Sequence, residues 1–395
     1  MSSVSLTNEY LQVLVCAGGL AFSPAGSQSG PDTIRLELPG AMRGEAKIVE
    51  CADERRGKGR RLVLQHGDRI TTATIHDRDP FVYLESHVEN ASGEPVAFDQ
   101  IRVADLVFES QEGADASKWS TLGSGGMKPA GTPENSFAYY AVADVASRNG
   151  AVCAWLTQQR GLGTMVPVFK DGQLRVGAEL EFGNLRIQPN QARETDTLVI
   201  GFFSDVRLGL ERFADEVAQT YAIHLKPKPD VFCTWYDRRH SADGALTEDA
   251  LAVNAAFAKK HLQPFGLNVF QIDDHWQADS HSKSTVDENL DKGPIKIFKE
   301  TNTNYPSGMP LAAEKLRRDG FVPGIWYMPF AGESKGAATD FPPEIFAKDP
   351  QTGKPVSNTR WSGATIDSTS PDGEAFLRDR FQRIQKWGYS YIKVD

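Results

Sequence analysis

YSYIKVD, Tyr389 to Asp395, follows the helical stretch EAFLRDRFQRIQKWG and reads as a buried strand of β-branched and aromatic residues. Its last polar residues, Lys393 and Asp395, are two apart. Positions i and i+2 of a strand face the same way, so both point together while Val394 points to a helix layer. The same beat recurs upstream. VFCTWY, Val231 to Tyr236, precedes a helical stretch from Leu246 to Leu262. LNVFQIDD, Leu267 to Asp274, leads through a long polar loop to PLAAEKLRRDG, and FVPGIWYMPF, Phe321 to Phe330, leads through another long loop to the last helix. Four near-continuously apolar strands with three intervening helices predict parallel α/β structure.

Polar and aromatic residues gather at the carboxyl ends of these strands: Trp235, Asp273 and Asp274, Trp326, then Lys393 and Asp395. Several successive strands offering such groups at one end describe the upper rim of a (β/α)8 TIM barrel, whereas a doubly wound sheet gives four strands no reason to converge. Eight strands close such a barrel, and an open half leaves unpaired edges, so the chain reads as a fragment or truncated product of a longer protein.

Before residue 207 the period is two. In TIRLELPG, Ile34, Leu36 and Leu38 alternate with Arg35 and Glu37, and similar runs cover 61–64, 70–75, 81–88, 151–157 and 174–182. Many short strands with turn signals predict an antiparallel β-sandwich, with Asp171-Gly172 as a tight hairpin turn. Apolar residues then recur at three and four positions in GLERFADEVAQTYAIHL, Gly209 to Leu225, a linking helix closed by the prolines of KPKPD. The predicted organisation is a β-sandwich over 1–207, a linking helix and linker over 208–229, and the first four βα units of a barrel over 230–395.

Composition narrows the function. A chain of 395 residues, 40% apolar, can bury two cores, and a net charge of -9 without a basic block argues against a nucleic-acid partner. Cys16, Cys51, Cys153 and Cys233 form no CxxC pair and read as reduced thiols, and the eight histidines show no metal-ligand spacing, so no metal is expected. LQVLVCAGGLAF, Leu11 to Phe22, is too short to span a membrane and is preceded by Glu9 where a leader carries basic residues; it reads as a strand and turn in a cytoplasmic protein.

Each candidate residue has a plain structural reading beside the chemical one. Lys393 next to Asp395 favours an ionised carboxylate fit for nucleophilic attack, or the two form an ordinary ion pair. Asp273 and Asp274 suit two neighbouring sugar hydroxyls, a magnesium ion, or capping of a loop. Trp235 and Trp326 can stack on a pyranose face or simply fill a core, as can Trp276 and Trp361. Arg360 in NTRWSG can fork onto substrate hydroxyls or stand in solvent. Nothing in its spacing marks Glu333 as a proton donor.

Taken together, FCTWYDRR, FQIDDHWQ, PGIWYMPF and YIKVD, in this order, resemble the retaining α-galactosidases of glycoside hydrolase family 36 and the raffinose synthases of the same group. The resemblance implies a large β-sandwich ahead of a catalytic barrel. It implies that Asp395 is the nucleophile, that Lys393, Asp273 and Asp274 hold sugar hydroxyls, and that Trp235 and Trp326 line the pocket, with Arg360 matched loosely. It places the second carboxyl on a later strand, calls for an α-galactoside partner without cofactor, and leaves a homo-oligomer open because family members often assemble. His275 where the family often has glycine, and the lack of a glutamate after Trp326, leave the sugar undecided. Galactosyl transfer to another sugar, a non-catalytic carbohydrate-binding barrel and a magnesium-dependent barrel enzyme stand as alternatives.

Overall fold

The computed structural model describes residues 4–26, 31–109, 116–237, 247–274, 276, 300–301, 304–333, 342–349, 351–359 and 363–395. The chain divides into two compact units, Met1–His224 and Leu225–Asp395. None of the helices among the described residues is long and apolar enough to cross a membrane.

Among the described residues, the first unit is built from two antiparallel sheets, of eight and ten strands. Its strands alternate as their sequence does: in Thr33–Glu37, Ile34 and Leu36 are buried between half-exposed neighbours. Such inward residues from both sheets, among them Phe22, Leu36, Leu106 and Val176 from one and Leu62, Ile75, Leu84 and Ile200 from the other, meet in a single core. The pairing of these two faces is what makes the unit a sandwich. The LQVLVCAGGLAF stretch forms two paired strands, Leu11–Cys16 and Gly19–Pro24. Asp171 and Gly172 both take positive φ, 54° and 77°, between the paired strands Leu162–Lys170 and Gln173–Ile187, as a tight hairpin turn requires.

One strand, Gly150–Trp155, is buried on both faces. The reason is a helix, Val206–Thr220, whose Val206, Leu210, Phe213 and Val217 pack against Phe81, Val152, Ala154 and Val199 on the sheet's outer face. The sequence pattern set this helix at 209–225 as part of a linker; it begins earlier, ends sooner, and lies on the sandwich. Asp205 caps its start by accepting from Arg207 N–H. Its end is a left-handed turn at Ala222, φ 50°, closed by the N–H of Ile223 donating to Ala218 O at 2.8 Å. Buried Glu216 fixes the last turns. Its carboxylate accepts from Arg56 at 3.0 Å, Tyr83 OH at 3.0 Å and Arg212 at 2.5 Å.

The second unit contains a four-stranded parallel sheet in chain order: β1 (Val231–Cys233), β2 (Val269–Ile272), β3 (Val322–Tyr327) and β4 (Tyr391–Val394). Between them run α1 (Glu248–His261), α2 (Met309–Arg318) and α3 (Pro371–Trp387). Thr247 and Ser370 cap α1 and α3 with their hydroxyls. Phe270, Ile272, Ile325 and Tyr327 turn to one face of the sheet and join Leu251, Ala255, Ala312, Leu316, Ile384 and Trp387 of the helices in one core. By the strand alternation, Cys233, Gln271, Asp273, Gly324, Trp326, Lys393 and Asp395 belong to the other face. A small three-stranded sheet, Ala331–Glu333, Ser357–Thr359 and Gly363–Thr365, precedes α3.

Candidate active site

The site begins with register. Cys233 on β1 pairs with Gln271 on β2, Gln271 with Gly324 on β3, Gly324 with Tyr391 on β4, and Trp326 with Lys393. Residues at one level on the non-helical face are therefore neighbours, and the next polar level up comprises Asp273, Trp326 and Lys393.

Asp273, 1% exposed, is the hub. Its Oδ2 accepts from Lys393 Nζ at 3.0 Å, from the Cys233 thiol at 3.0 Å and from the Gln271 side-chain amide; its Oδ1 accepts from the Asp274 N–H at 2.9 Å. Its own N–H donates to Thr234 Oγ1 at 2.9 Å. A carboxylate buried this deeply stands only with such donors around it. A hard cation would compete with an ammonium for the same Oδ2, which disfavours the magnesium reading of the aspartate pair.

Lys393 therefore faces a different partner from the one its spacing suggested. Its ion pair is with Asp273, two strands away, because a four-carbon stem crosses the sheet more readily than it folds back along its own strand. Burial lowers its pKa, but the hydrogen bond and charge of Asp273, with smaller contributions from Cys233 and Asp395, outweigh that and leave the ammonium held above its usual range. Asp395 is held instead by an indole: Trp326 Nε1–H donates to its Oδ2 at 3.0 Å. Trp326 is 3% exposed, so its polar end rather than an open ring face reaches the cluster.

Lys393, Asp273, Trp326 and Asp395 thus come together. Asp274 sits beside them, half-buried, through its N–H on Asp273. Trp235 lies on the short turn Thr234–Tyr236 after β1, next to the threonine that accepts from Asp273, and is 40% exposed. Trp276 is a core residue, fully buried, with its N–H on Trp326 O at 2.9 Å and its ring edge-on to Trp387. Arg360, His275 and Trp361 lie outside the described residues, and Glu333 is in the small sheet.

Sequence reasoning missed Cys233, Thr234 and Gln271. Gln271 carried a signal: a polar residue inside the apolar run NVFQI, two before Asp273 and so on the same face. Cys233 is an unpaired thiol pushed up to about 11, first by burial and then by the hydrogen bond and charge of Asp273.

No family model matches the sequence. The fold does have solved counterparts. The GH36 α-galactosidase AgaA of Geobacillus stearothermophilus, solved with stachyose, superposes over 100% of this chain and 65% of its own, with a TM-score of 0.60 at 13% identity. The α-galactosidase of Lactobacillus brevis gives 0.56 at 11% identity, over 100% of this chain and 63% of its own. The galactosidase domain of the α-galactosidase-sucrose kinase AgaSK gives 0.60 at 12% identity, over 99% and 65%. The chain shares their fold. It spans about two thirds of the length of these structures.

Proposed function

We propose that the chain carries the sandwich and the first four βα units of the catalytic TIM barrel of a retaining glycoside hydrolase, which cleaves terminal α-galactosides through a covalent glycosyl-enzyme on Asp395. The observation that carries this reading is the convergence of the Trp326–Asp395 hydrogen bond and the Lys393–Asp273 ion pair on one face, since it joins three separate motifs of the resemblance in one cluster. The fold likeness to enzymes solved with stachyose and raffinose supports the substrate class.

In this reading the indole N–H occupies Asp395 Oδ2 and leaves Oδ1 to attack the anomeric carbon. A bond forms from Oδ1 to that carbon as the bond to the leaving oxygen breaks, and the leaving oxygen takes a proton from a second carboxyl about 5–5.5 Å away. The same carboxyl then deprotonates the water that releases galactose. The resemblance assigns it to a later strand, so the activity belongs to the protein that carries both carboxyls. Asp273, Asp274, Lys393 and Trp235 bind the sugar, and Arg360 is added by the resemblance alone. The chemistry calls on no cofactor.

The full-length protein, given an aryl α-galactoside, is expected to release phenol and to yield galactose first as the α-anomer, followed by NMR. Asp395→Asn is expected to lower turnover about a thousandfold or more with the fold intact. Undiminished turnover in that variant would remove Asp395 from the mechanism. Added acceptor sugar separates hydrolysis from galactosyl transfer by the products formed.

A further inference from the structure

The Asp273 carboxylate is buried, so each of its lone pairs needs a donor from the protein or from a substrate. Oδ2 is supplied by three, Lys393, Gln271 and Cys233. Two of these are neutral and approach from the level below: Gln271 precedes Asp273 by two on β2, and Cys233 is its register partner on β1. Lys393 comes from β4 on a flexible stem with β3 between, so the location of its ammonium depends on where Oδ2 is fixed. On that intervening strand Gly324, in register with Gln271 and Tyr391, leaves its space to those two side chains. A Cβ at Gly324 would fall 2.9 Å from the Tyr391 ring and 3.1 Å from Gln271.

We infer that Cys233 and Gln271 are positioning residues for sugar binding: they lock Asp273 Oδ2 so that Lys393 presents its remaining N–H donors to galactoside hydroxyls and Asp273 Oδ1 accepts from one of them. The inference rests on the galactosidase reading above and extends it to two residues to which the resemblance gives no role. The raised thiol pKa keeps Cys233 a donor at neutral pH. Because Asp395 is held separately by Trp326, loss of this lock weakens binding before it weakens attack.

A ring-fluorinated α-galactosyl fluoride tests this on the full-length protein. Its fluoride leaves without a proton, so covalent labelling reports on binding (KI) and attack (kinact) independently of the second carboxyl. Cys233→Ala and Gln271→Leu are each expected to raise KI about tenfold with kinact within about twofold, and Cys233→Ser, which restores a donor, to recover most of the loss. Circular dichroism checks the fold, and Gln271→Met, of similar length without the N–H, replaces Gln271→Leu if that variant fails to fold. Unchanged KI in both variants, or a fall in kinact with KI unchanged, while the wild type labels at Asp395, overturns the positioning role and leaves the galactosidase reading standing. A wild type that takes no label overturns both.

Discussion

Three side chains around one carboxylate pair divide the work of the site. Trp326 serves Asp395, whereas Cys233 and Gln271 serve Asp273, so their substitutions should separate kinetically. Trp326→Phe is expected to lower kinact by about 10- to 100-fold, the effect of one hydrogen bond to a charged group, with a small change in KI. Equal loss in both constants would contradict that division. Cys233 also has a signature in stability. Its folded pKa, about 11, lies above the roughly 8.5 of a thiol in the unfolded chain, so its contribution is complete below the lower value and is lost as pH rises toward the upper one. Urea midpoints of the wild type should therefore fall across that window more steeply than those of Cys233→Ser; parallel curves would mean that burial and Asp273 together do not hold the thiol protonated. The pairing of Lys393 and Asp395 on one face was legible because strand alternation is a local rule. The partner of Lys393 was not, because it is set by the register of strands about 120 residues apart.

Elements place these residues, and their limits depend on single positions. Gly324→Ala would drive a methyl group between β2 and β4, and is expected to destabilise the second unit by about 1–3 kcal/mol in urea unfolding. No change would mean that Gln271 and Tyr391 can yield at no cost. The helix Val206–Thr220 shows why its boundaries escaped the sequence pattern. Periodicity marked the apolar face, but the start is set by the Asp205 side chain and the end by a left-handed alanine, neither of which is a periodic signal. The carboxylate of Glu216 was equally hidden, since its donors Arg56 and Tyr83 come from more than a hundred residues away. Arg56→Leu leaves that buried charge short of a partner and is expected to lower the sandwich's stability by about 3 kcal/mol, read from its unfolding transition.

At the scale of the whole molecule, the change from period two to alternating strands and helices made the antiparallel sheets and the parallel α/β sheet readable, because each period reflects how a face is buried. Strand Gly150–Trp155 shows where that logic needs tertiary structure, since its second face is covered by a helix that follows some fifty residues later. The proposed nucleophile is Asp395, held by Trp326 and supplying the electron pair that bonds to an anomeric carbon. The most direct measurement is mass-spectrometric mapping of the full-length protein after reaction with the ring-fluorinated α-galactosyl fluoride. A single fluorogalactosyl adduct on Asp395, missing in Asp395→Asn, is the expected result; an adduct on another carboxylate, or none, would contradict it.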